Sequence, residues 1–153
     1  MANEEVRMER ILVGLDTAEG SLWSGIHALN LANRIDAKVS FLLVIDPEVD
    51  QGKQALQEQW KTYMMKGLGA LIEQGRAEGI AVDYFVAYGK FDLEIVKFIK
   101  ENRITMLVVG LPADQKGSSG HFAELLEKVR HRIDCRIEVV HEKSPKPALK
   151  RRG

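Results

Sequence analysis

From Met106 to Val109 the chain runs through four consecutive apolar residues, and Gly110 and Pro112 then stop the run. A short, unbroken apolar segment of this kind reads as a strand buried on both faces. Proline cannot continue it, because it has no amide to give to a ladder. Lys116-Gly-Ser-Ser-Gly120 reads as a polar loop, and from Phe122 the period becomes helical, with Leu125, Leu126, Val129 and Ile133 in phase. Strand, glycine-rich loop and helix, in that order, is how open parallel sheets build a ligand site at the carboxyl ends of their strands. A chain with this segment near its end has few other folds open to it.

The preceding chain supplies matching units. Ile11 to Leu15 is a first buried strand, closed by Asp16, and Thr17 is placed to cap the helix that follows. That helix carries Leu22, Ile26, Ala28, Leu29 and Ala32 at helical spacing, and Val39 to Ile45 is the second strand. Short connections make these strands parallel, through a right-handed crossover. A long helix is expected from about Gly52 to Glu78, with bending or fraying at Gly67, Gly69 and Gly75, since each costs about 1 kcal/mol relative to alanine. Val82 to Ala87 is a third strand, of edge type. After Gly89, Asp92 and Glu94 favour the start of a helix using Leu93, Val96 and Ile99. Arg136 to Val140 is the last strand. The reading is an α/β chain: an open five-stranded, mainly parallel sheet with helices on both faces. One domain is expected over residues 10–142, with an extension at 1–9 and a basic, disordered tail at 143–153.

Charge and cysteine content narrow the partners. Lys plus Arg and Asp plus Glu number 22 each, so no net field draws the chain to nucleic acid or to a membrane. The local exception is the tail, where Lys146, Lys150, Arg151 and Arg152 offer only a weak reading as a site for acidic partners. Cys135 is the single cysteine, reads as core packing, and fits a reducing compartment. The charged start lacks the apolar core of a signal peptide, and no apolar run is long enough to cross a bilayer. A cytoplasmic location is expected.

Catalytic motifs are missing. Neither the phosphate-loop pattern Gly-x4-Gly-Lys-Ser/Thr nor Gly-x-Gly-x-x-Gly occurs. His27, His121, His131 and His141 lack metal-ligand spacing, and His27 reads as a surface or packing residue. Trp23 and Trp60 fall on helices and read as packing or interface residues. The chain is not expected to be an enzyme.

Three segments together resemble the universal stress protein family. They are Arg10-Ile-Leu-Val-Gly-Leu-Asp16, Val44-Ile-Asp-Pro47, and the stretch from Gly89 through Met106-Leu-Val-Val-Gly110 to Cys135-Arg-Ile-Glu-Val-Val140. The resemblance implies strand order 3-2-1-4-5, a homodimer formed through the last strand (Arg136 to Val140), and a regulatory role in stress response through a protein partner. An unpaired strand edge would suit such a dimer, although Arg136 and Glu138 are also charges that protect an edge.

ATP-binding members of that family carry Gly-x2-Gly-x9-Gly-Ser/Thr after strand four. Here Gly110 fits, Ala113 stands at the second glycine, and Ala123-Glu124 stands where Gly-Ser/Thr would be. The methyl of alanine opposes left-handed dihedrals and close approach to phosphate. With the helix starting near Phe122, Glu124 would lie where the phosphates bind. Like charges about 4 Å apart at a dielectric near 20 repel by roughly 4 kcal/mol, or about a thousandfold in affinity. The expectation is therefore a protein with no cofactor and little ATP binding. The alternative is an ATP- or AMP-binding member, at most a weak ATPase, that uses a variant loop. Its candidate residues are Asp16, Val44, Gly110, Lys116, Gly117, Ser118, Ser119 and Gly120. Amides and hydroxyls of Gly117 to Gly120 can cradle an anion, and equally can form a plain loop. Asp16 resembles the family's acidic residue near ribose and phosphates, and is equally a strand terminator and helix cap.

Overall fold

The computed structural model of the protein describes residues 8–16, 22–46, 54–111 and 118–141. Thr17, Lys116, Gly117, the tail 143–153 and most of the extension 1–9 lie outside them. The elements alternate from end to end: β1 (Glu9–Leu15), α1 (Leu22–Ala32), β2 (Ala37–Ile45), α2 (Gln54–Ala77), β3 (Ala81–Tyr88), α3 (Phe91–Asn102), β4 (Met106–Leu111), α4 (Ser118–Arg130) and β5 (Arg136–His141). The strands form one five-stranded sheet in the order β3-β2-β1-β4-β5, which the sequence resemblance implies. Every pairing is parallel, so the sheet has no antiparallel member among the described residues.

The period-2 alternation of strands divides the core into two layers. Ile11, Val13, Leu15, Val39, Phe41 and Leu43 point to one face, where Ala28 and Leu29 of α1 and Leu68 and Leu71 of α2 cover them. Leu12, Leu42, Val44, Leu107 and Val109 point to the other, under Ile95 and Ile99 of α3 and Leu126 and Val129 of α4. Burying each such side chain contributes about 1.5–3 kcal/mol. Because β1, β2 and β4 are covered on both faces, they read in the sequence as continuous apolar runs. Among the described residues β3 and β5 pair on one side only, and their alternation is correspondingly plain.

Two local expectations meet a different outcome. α2 is unbroken through Gly67, Gly69 and Gly75. A Cβ on Gly75 would lie 2.9 Å from Val82 Cγ2 and 3.0 Å from Leu29 Cδ2, so this glycine admits close helix packing. The side chain of Trp60 lies outside the described residues. The second difference concerns α4, which begins at Ser118 rather than at Phe122.

At the amino ends of the strands, Thr105 ties β1 to β4. Its hydroxyl donates to Glu9 Oε1 at 2.6 Å and accepts from the Arg10 amide at 2.9 Å. These contacts fix the pairing of the two strands whose opposite ends frame the site.

Candidate functional site

β1 sits between β2 and β4, and the chain leaves it in opposite directions on the two sides. In open α/β sheets this switch point leaves a crevice outside the carboxyl ends of the strands. Gly14 pairs with Leu42 on one side and with Val109 on the other. One step further along the same register, Gly110 comes beside Leu15, and Asp16 follows directly at the rim. Asp16 is half-buried there.

The amino end of α3 closes over this point because β1 carries a glycine. A Cβ built on Gly14 would lie 2.8 Å from Ile95 Cδ1, 3.4 Å from Phe91 Cζ and 3.5 Å from Val109 Cγ1. A side chain at this position would have to push the tip of Ile95 aside, so glycine lets α3 settle deep across the β1–β4 boundary. Before α3, the Gly89 amide donates to the Ile45 carbonyl at 2.9 Å. Lys90 Nζ lies 3.8 Å from Asp46 Oδ2, which holds the β3–α3 turn against the end of β2.

Gly110 has a different environment. A methyl there would meet Ser24 Cβ at 3.6 Å, Ser24 Oγ at 3.7 Å and the Val140 carbonyl oxygen at 3.8 Å, all ordinary contacts. Gly110 is thus not required by space, and Ser24 beneath it is fully buried.

The candidate residues from the sequence separate into three groups. Asp16 and Gly110 come together at the switch point. The side chain of Val44 is 2 % exposed and packs in the α3–α4 layer, so only its backbone is available to a ligand. Ser118, Ser119 and Gly120, expected in a loop, form the first turn of α4. A helix start directs free amides at an anion, so the turn keeps anion-binding capacity by a different route. Lys116 and Gly117 lie outside the described residues.

The helix start also relocates Glu124. It lies six residues past Ser118, beyond the first turn of α4, and its side chain is exposed. The repulsion expected of it at the helix start is not present in this geometry. Another carboxylate was underestimated. Asp92 reads in the sequence as a dipole-favoured residue of the first turn, and it does lie there, yet it is only 8 % exposed. Its spacing from Val96 is the signal that placed it on an inner flank of the helix.

No group of three or more His, Cys, Asp or Glu side chains able to hold a metal ion occurs among the described residues. No helix there is long and apolar enough to cross a membrane.

The model of the universal stress protein family matches residues 8–141 of this chain. The chain belongs to that family. Among solved structures, a universal stress protein from Lactobacillus plantarum shares 19% identity, with 88% of this chain and 98% of that chain covered at a TM-score of 0.67. A universal stress protein solved in complex with cAMP shares 18% identity, with coverage of 89% and 98% and a TM-score of 0.62. A family protein from Arabidopsis thaliana, solved with AMP bound, shares 13% identity, with coverage of 93% and 97% and a TM-score of 0.57. At these identities the likeness establishes the fold of this universal stress protein. A comparison with curated protein sequences finds no match.

Proposed function

We propose that this universal stress protein is a non-catalytic regulatory protein whose switch-point crevice takes an adenine nucleotide of low phosphate number. The observation that supports the reading is the close fit of the amino end of α3 onto Gly14 at the β1–β4 boundary, with α4 starting at Ser118 just after β4. Two similar folds hold AMP and cAMP, which sets the ligand class to try first. Tight ATP binding is not part of the reading, because Ala113 and Ala123 stand where ATP-binding members carry glycine. Signalling in the stress response would pass from the occupied crevice to a protein partner.

Calorimetric titration of nucleotide-stripped protein with AMP, cAMP and magnesium-ATP tests this. Micromolar AMP or cAMP binding, with weaker ATP, is the expected result. Absence of heat with all three up to millimolar concentration overturns it.

A second reading concerns assembly. Among the described residues β5 pairs with β4 alone, which leaves one side of its backbone open to a partner edge. We read this edge as the seam of a homodimer. Light scattering behind size exclusion should give twice the chain mass, and a monomer at all concentrations would refute the seam.

A further inference from the structure

We propose that the dimer seam on β5 has one register, with its two-fold axis at Val139, and that His27 positions Glu138 so that this register can form. The proposal rests on the reading of β5 as a homodimer edge.

The backbone limits the choices. The Arg136 amide donates to the Thr105 carbonyl at 3.3 Å, so the main-chain groups of Arg136 point to β4. Direction alternates along a strand, and those of Ile137, Val139 and His141 therefore point away from β4, to the edge left open among the described residues. Two copies of this edge, related by a two-fold axis normal to the sheet, pair antiparallel with these residues opposite one another. The axis then passes at Ile137, Glu138 or Val139.

Side chains choose among the three. An axis at Glu138 sets that residue directly against the partner's Glu138, and like charges directly opposite are destabilising. An axis at Ile137 overlaps the two strands only from Arg136 to Glu138, because β5 begins at Arg136. An axis at Val139 pairs the whole run from Ile137 to His141 with its copy and sets Val139 against the partner's Val139. Ile137 and Val139 are only partly covered by the second core layer, so this register buries apolar surface that one chain leaves open.

On the other face of the sheet, an axis at Val139 makes the two Glu138 side chains diagonal neighbours, about 7–8 Å apart. His27 Nε2 donates to Glu138 Oε2 at 3.3 Å and holds the carboxylate against α1. Trp23, one turn before His27, shares that flank of α1 and is 45 % exposed. A Cβ on Gly110 lies 3.6 Å from Ser24 Cβ and 3.8 Å from the Val140 carbonyl oxygen, so this turn stands level with Val140. Each chain thus brings a tryptophan beside a short strand pairing, and large aromatic side chains are frequent anchors of interfaces.

Thiol crosslinking tests the register. In a Cys135→Ser background, Val139→Cys chains treated with a short bifunctional thiol reagent should join to one another. Ile137→Cys chains should join His141→Cys chains when the two are mixed, and neither should join itself. Self-joining of Ile137→Cys or of Glu138→Cys, without that of Val139→Cys, overturns the register and leaves the dimer standing. Sedimentation equilibrium tests His27. His27→Ala should raise the dimer dissociation constant at least about threefold, and adding Glu138→Ala should restore it. His27→Gln, which keeps a donor, should stay near the wild type, and circular dichroism melts confirm folding. An unchanged constant in His27→Ala, or a loss that Glu138→Ala does not reverse, overturns the role of His27. Monomer mass for the wild type, with no crosslink at any position, overturns the β5 seam itself and the register with it.

Discussion

Gly14 faces the tip of Ile95 so closely that a methyl on Gly14 would lie 2.8 Å from Ile95 Cδ1. Ile95 is fully buried, so its side chain has nowhere to retreat. The crevice depends on this contact, since it sets how far α3 descends onto the β1–β4 boundary.

Gly14→Ala should therefore destabilise the protein by about 1–3 kcal/mol, the usual cost of overpacking a filled core. Ile95→Val removes the clashing Cδ1 and alone costs about 0.5–1.5 kcal/mol. In urea unfolding, the double variant should lose less than the two single losses added together. Strict additivity would mean that the two residues do not touch in solution.

How much of this was legible in the sequence follows from where the physical signal is local. The apolar runs Ile11–Leu15, Val39–Ile45 and Met106–Val109 announce strands covered on both faces, and the structure places all three in the middle of the sheet. The strand order came from the family resemblance, because periodicity carries no information on which strands are neighbours. The start of α4 was not legible. Glycine and serine favour loops by composition, yet Ser118-Ser-Gly120 is helical, so tertiary packing outweighed local preference there. Asp92 illustrates the same gap. Its position in a first turn is readable from the chain, but its burial depends on a flank that exists only once α3 lies against α4.

Arg103 follows α3 in the left-handed region, at φ 54° and ψ 47°, while the amide of Ile104 donates to the Ile99 carbonyl at 3.1 Å. Such a cap suits glycine, and an L side chain there costs about 1–2 kcal/mol. Against this, glycine loosens the unfolded chain by about 0.5–1 kcal/mol. Arg103→Gly should therefore stabilise by about 0.5–1 kcal/mol and raise the melting temperature by about 2–3 °C. A lower melting temperature would show that the arginine side chain contributes more than its backbone costs.

Glu124 lies well past the start of α4. Six residues along α4 amount to about 9 Å, and at that distance through water its charge alters phosphate binding by about 0.5 kcal/mol, roughly twofold. Glu124→Ser, alone or with Ala123→Gly, should leave the AMP and ATP dissociation constants within about threefold of the wild type. A large gain in ATP affinity would place Glu124 back at the phosphates.

Cys135, between α4 and β5, gives a readout of the second core layer. Its thiol is pushed above its usual range, first by burial and then by the charge of Asp134, while hydrogen bonds from its own backbone and that of Leu107 pull the other way. The thiolate is the reactive form, so alkylation by iodoacetamide at pH 8 should run several-fold slower on the folded protein than on the chain in urea. The sign of the stability effect follows. With a folded pKa above the unfolded value of about 8.5, the thiol's contribution is complete below that pH and is lost as pH rises through the folded pKa. Urea unfolding between pH 7.5 and 10 should show a steeper loss for the wild type than for Cys135→Ala. Equal slopes in the two proteins, or fast alkylation of the folded chain, would show that Cys135 is solvated and that Ile133 and Ile137 leave it uncovered.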